Sequence, residues 1–121
     1  MKRIIIAGGR EFTDKRQMEL ALEPLLSSYP FSIEIVSGGA RGADRLGEKY
    51  AKNRGLKLTV MPADWDKYGK RAGPKRNLEM AKYADVLVAF WDGKSTGTRN
   101  MINQALQHGL GIHVYRWEKE E

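Results

Sequence analysis

Five short runs rich in β-branched residues recur along the chain: "RIIIA" at 3 to 7, "IEIV" at 33 to 36, "KLTVM" at 57 to 61, "DVLVAF" at 85 to 90 and "IHVY" at 112 to 115. Most are continuously apolar rather than alternating, the pattern of strands covered on both faces. Helix-period segments separate them, and strands joined by helical crossovers run parallel. Right-handed crossovers then leave few topologies. The expectation is a three-layer, Rossmann-like doubly wound α/β fold with about five parallel strands in the order 3-2-1-4-5. In that order the loops after strands 1 and 4 diverge and open a crevice at the carboxyl ends of the strands, where such sheets take ligands.

The intervening segments carry their own signals. Met18, Ala21, Leu22, Leu25, Leu26 and Tyr29 share one helical stripe, with Asp14 and Gln17 spaced as a capping box and Pro24 predicting a kink or break. Ala43, Leu46, Gly47, Tyr50 and Ala51 define a second helix that stops at Gly55. Leu78, Ala81 and Ala84 give a shorter third helix opened by Pro74. Met101, Ile102, Ala105 and Leu106 give a fourth, with Thr98 as its N-cap and Gly109 as its end. At 121 residues, with neither internal repeats nor linkers, the chain is read as one domain over 1–121, and "EKEE" at its end as a frayed tail.

Composition narrows the function classes. With no cysteine and only His108 and His113, neither a disulfide framework nor a zinc site is expected. No cofactor and no metal are predicted. No stretch reaches the roughly 18 uninterrupted apolar residues of a membrane helix, and the apolar run behind the basic N-terminus is too short for a signal peptide. A cytoplasmic protein that avoids membranes is expected. The net charge of +6 favours an anionic partner.

The carboxyl ends of three predicted strands name that partner more closely. Strand 1 ends in Gly8, Gly9 and Arg10; strand 2 in "SGGARGAD", which is Ser37, Gly38, Gly39, Ala40, Arg41, Gly42, Ala43 and Asp44; strand 4 in "WDGKSTGT", with Asp92, Lys94, Ser95, Thr96, Gly97 and Thr98. Glycine lets backbone amides approach a ligand, and helix N-termini favour anions. Three such loops at one edge form a phosphate cradle. Neither GxGxxG nor a Walker loop is present, which sets aside nicotinamide dehydrogenases and P-loop NTPases. Asp44 is equally readable as the N-cap of the second helix.

A fourth element, "PADWDKYGKRAGPKRN" at 62 to 77, is long for a βα connection. Trp65, or Trp91 after strand 4, offers a base-stacking surface, and Arg76 and Asn77 stand at the start of the third helix. Trp117 is read as a packing or oligomer-contact residue.

In this order, "GGREFTD", "SGGARGADRLGEKYA", "PADWDKYGKRAGPKRN" and "VAFWDGKSTGT" resemble the YspA-type, cpYpsA-related branch of the SLOG superfamily, over nearly the whole chain. The resemblance implies a Rossmann-like fold that senses or processes nucleotide-derived ligands, with roles in antiviral defence or phage counter-defence. It places Gly8, Gly9, Arg10, Ser37 to Asp44, Arg76, Asn77, Gly97 and Thr98 in the ligand crevice. The LOG phosphoribohydrolases of the superfamily use a PGGxGTxxE glutamate to cleave an N-glycosidic bond, but Met101 stands at that position here. A binding module for a nucleotide-derived small molecule, as a homodimer or higher homo-oligomer, is therefore the first reading. A hydrolase using a displaced carboxylate, Asp92 foremost, is the second. A binder of single-stranded nucleic acid resembling DprA is the third.

Overall fold

The computed structural model describes residues 1–118, and of the "EKEE" tail only Glu118 falls among them. The elements run β1 (Lys2–Gly8), α1 (Lys15–Ser27), β2 (Ile33–Ser37), α2 (Ala43–Asn53), β3 (Lys57–Val60), α3 (Trp65–Tyr68), α4 (Ala72–Tyr83), β4 (Val86–Trp91), α5 (Thr96–Gln107) and β5 (Gly111–Arg116), with a 3₁₀ turn at Gly69–Arg71. All strands are parallel and lie in the order β3-β2-β1-β4-β5, as the crossover argument requires. The α-helical crossovers cover both faces.

The continuous apolar runs explain the layering. Ile4, Ile5 and Ile6 are all fully buried, as are Leu87, Val88, Ala89 and Phe90, because β1 and β4 occupy the inner positions of the sheet. Ile4, Ile6, Ile35 and Val88 pack with Met18, Leu22, Ala43, Tyr50 and Ala51 of α1 and α2 on one face. Ile5, Val36, Leu87 and Ala89 meet Met80, Ala81, Met101 and Ala105 of α4 and α5 on the other. Each fully buried large side chain contributes about 1.5–3 kcal/mol, so the two half-cores secure the floor on which the loops stand.

Several local expectations shift. α1 runs through Pro24 as one helix. Asp14 does cap it, its Oδ1 accepting from Gln17 N at 2.9 Å, but the Gln17 side chain donates to the carbonyl of Arg116 instead of closing the box. Ser95, not Thr98, caps α5, since its Oγ accepts from Thr98 N. α4 begins at Ala72, which places Pro74 in the first turn and Arg76 and Asn77 beyond the opening residues. Ser37 closes β2 rather than opening the loop.

Candidate functional site

At the carboxyl ends of the strands the loops after β1, β2 and β4, the β3–α4 connection and Trp117 enclose a crevice of about 1250 Å³. Gly8, Gly9, Arg10, Gly38, Gly39, Arg41, Asp44, Trp65, Arg76, Asn77, Asp92, Ser95, Thr96, Gly97 and Thr98 all line it. The sheet order accounts for this convergence, because β2, β1 and β4 are neighbours and their loops leave the same edge.

The second glycine loop is the most constrained part. Gly42 has φ +79°, a left-handed conformation, and a Cβ there would run into the backbone of Gly9 and Arg10. The contact is made instead by backbone, with Ala43 N donating to the Gly9 carbonyl at 3.2 Å, so the first two loops are stitched together. At Gly38 a Cβ would overlap the Arg76 guanidinium, whose Nη1 donates to the Gly38 carbonyl at 2.5 Å. Arg76 Nε donates to Asn77 Oδ1 at 3.0 Å, and Asn77 Nδ2 in turn reaches the Gly97 carbonyl and Asn100 Oδ1. One chain of hydrogen bonds thus ties the β2 loop to the start of α5.

Asp44 is the second residue of α2, and Gly42 occupies the cap position. The carboxylate accepts from Ala40 N at 3.2 Å, so it orders the loop rather than capping the helix. Burial pushes its pKa up to about 6, against the opposing pull of the Ala40 amide and the Arg76 charge. Arg76 is held below the ordinary arginine range by burial, with Arg10 adding to the effect and Asp44 opposing it. The Arg10 and Arg76 side chains both line the crevice.

Not every expected residue reaches the crevice. Ser37 is fully buried beneath it, its hydroxyl donating to Glu48 Oε2 at 2.7 Å and accepting from Gly39 N at 3.1 Å. Gly42 shapes the floor without lining it, and Lys94 is exposed outside the lining. Trp91 also lies outside the lining; its Nε1 donates to the Ser95 carbonyl. Asp92 Oδ1 accepts from both Lys94 N and Ser95 N at 2.8 Å, and these amides hold its pKa below the usual value. A carboxylate engaged in that way organises a turn and is a poor proton donor.

Among the crevice residues that the sequence did not point to is Trp117. Its Nε1 donates to the Phe90 carbonyl at 3.0 Å, its ring meets Phe12 edge-on at 5.5 Å, and it lies against Gly9. The expected packing role is present, and the same ring forms a crevice wall. Nothing local in "YRWEKEE" signals this, because it depends on β5 lying beside β4.

Among the described residues no group of histidine, cysteine, aspartate or glutamate side chains is arranged to hold a metal ion. No helix among them is long and apolar enough to cross a membrane.

Fold and crevice together define a Rossmann-like protein with a glycine-loop crevice at the carboxyl ends of its strands. Comparison with known proteins makes this specific: residues 2–68 match the model of the YspA, cpYpsA-related SLOG family. The chain belongs to that family. It is 37% identical over 118 residues to the Gene 61 protein of Mycobacterium phage D29, covering 93% of this chain and 94% of that one. It is 40% identical over 42 residues to the uncharacterized SPbeta prophage-derived protein YoqJ of Bacillus subtilis (strain 168), 35% of this chain and 25% of that protein. The solved structure of DNA processing protein A (DprA) from Streptococcus pneumoniae superimposes with a TM-score of 0.75 at 17% identity, over 97% of this chain and 50% of that one. Family and fold support a nucleotide- or nucleic-acid-related role in general terms.

Proposed function

We propose that this chain binds a phosphorylated, nucleotide-derived ligand in the crevice and captures or senses it without chemical change. The observation that carries the reading is the anchoring of Arg76 inside the β2 loop, beside Arg10, where Gly38 leaves room for a guanidinium and nothing more. Phosphate would lie between the two guanidiniums and the loop amides, with Thr96, Gly97 and Thr98 of the α5 N-terminus at the far side. The likeness to a phage and a prophage protein supports a place in the conflict between phage and host. We place the protein in the cytoplasm, as one domain over residues 1–121 that acts alone or as a homo-oligomer.

Hydrolysis is the second reading, and Asp44 favours it over Asp92. A crevice carboxyl with a pKa of about 6 is poised for proton transfer near neutral pH, whereas Asp92 is committed to its turn. Binding of single-stranded nucleic acid draws support from the exposed Trp65 and Tyr68 among Lys67, Lys70, Arg71 and Lys75.

The test is mass spectrometry of the purified protein for a retained small molecule, followed by calorimetric titration with a nucleotide panel. Wild type should bind at least one phosphorylated nucleoside and release it intact, and Arg10→Ala/Arg76→Ala should bind at least tenfold more weakly. Equal binding by the double variant rejects the phosphate seat. Release of free base and ribose phosphate rejects capture in favour of hydrolysis.

A further inference from the structure

The crevice has two aromatic ends. Trp65, half exposed, follows β3 and packs its ring edge on Gly73. Trp117 hangs from the carbonyl of Phe90 at the end of β4. β3 and β4 are separated by β2 and β1, three interstrand spacings, or about 14 Å at the usual strand separation. The two guanidiniums lie between these ends: Arg76 is bound at the end of β2, and Arg10 follows β1. An aromatic surface, two guanidiniums at the ends of the neighbouring strands β2 and β1, and a second aromatic surface therefore succeed one another across the sheet.

A nucleoside monophosphate cannot use this layout in full. With its phosphate at the guanidiniums its base reaches one indole and leaves the other bare. The volume of about 1250 Å³ likewise exceeds the roughly 300–1,000 Å³ typical of small-ligand pockets. We infer that the ligand is a dinucleotide, two nucleosides bridged through phosphate, with the bridge on Arg10 and Arg76 and one base against each of Trp65 and Trp117. This rests on the phosphate seat proposed above and assigns what lies on either side of it. Stacking on an aromatic side chain is sequence-tolerant, so the two bases need not be alike.

The experiment titrates the protein with AMP, UMP and the 5′–5′ diphosphate-bridged dinucleotides of adenosine and of uridine, and with oligonucleotides of increasing length. At least one dinucleotide should bind ten times more tightly than its mononucleotide. Trp65→Ala, at a half-exposed position, and Trp117→Phe, which keeps most of the packing, should each reduce that preference, with circular dichroism confirming the fold. Mononucleotide and dinucleotide binding equally well, neither dinucleotide binding, or a preference unaltered in both variants would overturn the two-ended site. Affinity that keeps rising beyond two nucleosides would also overturn it, pointing to a strand that continues over the basic α3 segment. If Arg10→Ala/Arg76→Ala binds every probe as wild type does, the phosphate seat itself fails; if that variant is weakened but no dinucleotide preference exists, only the two-ended assignment fails.

Discussion

Arg76 and Gly38 share one volume: the Nη1 of the arginine donates to the glycine carbonyl at 2.5 Å, and the guanidinium occupies the space a Cβ on Gly38 would need. Glycine at this position is thus required by a side chain 38 residues away rather than by a turn, and Gly38 has no left-handed φ. The loop and the cation form one unit, and the carbonyl fixes where the positive charge sits.

Gly38→Ala should therefore behave like a displaced Arg76. The added methyl cannot coexist with the guanidinium, and moving the guanidinium breaks a charge-assisted hydrogen bond worth about 1.5–3 kcal/mol. Nucleotide affinity is expected to fall about tenfold or more, to a level close to that of Arg76→Ala, and the double variant should be no worse than either single one. Calorimetric titration of the three variants checks this non-additivity.

The fold was legible because its signals are local and repeated. Buried strands such as Ile4 to Ile6 declare themselves as unbroken apolar runs, and crossover geometry supplies the order. The loops were legible for a similar reason, since Gly8 ends β1 and Gly9, Arg10 and Gly38–Gly42 follow strands directly. What stayed hidden depends on long-range contacts. Ser37 looks like a loop residue until Glu48 claims its hydroxyl, Asp92 looks free until two amides claim its carboxylate, and Trp117 becomes a crevice wall only because β5 pairs with β4. The short helix α3 was also missed; its Asp64 cap, accepting from Lys67 N at 3.1 Å, was the signal available.

Asp44 should make the ligand-free protein less stable as pH rises. Its folded pKa of about 6 lies above the ordinary 3.8, so the folded state holds the proton more tightly than the unfolded chain between those values. The resulting penalty is absent below about pH 4, grows through the window and is complete above about pH 6, reaching roughly 3 kcal/mol at 1.36 kcal/mol per pKa unit. Asp44→Asn, which retains an acceptor for Ala40 N, should therefore gain stability relative to wild type between pH 4 and pH 7. Urea denaturation at both pH values measures the difference, and an unchanged gap would contradict it.

Asp92 is predicted to matter for the turn and not for chemistry. Asp92→Asn keeps an oxygen for Lys94 N and Ser95 N and should leave nucleotide affinity within about twofold of wild type, whereas Asp92→Ala should cost about 1–2 kcal/mol of stability. Lys94→Ala, outside the crevice lining, should likewise leave affinity nearly unchanged. Thermal unfolding and titration of the three variants separate the two effects.

At the opposite end of the sheet Glu34 stabilises the fold with the reverse pH dependence. It is fully buried, yet it accepts from Tyr83 Oη at 2.5 Å and Thr59 Oγ1 at 2.9 Å and pairs with Lys57 Nζ at 3.2 Å. Burial alone would raise its pKa, but these partners outweigh burial and hold it below the ordinary 4.5. A depressed carboxylate contributes stability above the unfolded pKa that is lost as pH falls through the folded one, so this contribution fades below about pH 4.5. Glu34→Ala leaves the Tyr83 and Thr59 hydroxyls without their acceptor while the half-exposed Lys57 stays solvated, and it is expected to cost about 1–3 kcal/mol. Tyr83→Phe removes one charge-assisted hydrogen bond and should cost about 1.5–3 kcal/mol. Tyr83 ends α4 and Arg76 lies on the same helix, so losing the Glu34 contact is expected to loosen the register of the guanidinium with Gly38. Tyr83→Phe should therefore weaken nucleotide binding by a few-fold at a distance, and unchanged affinity in a folded variant would show that α4 is positioned by its apolar face alone.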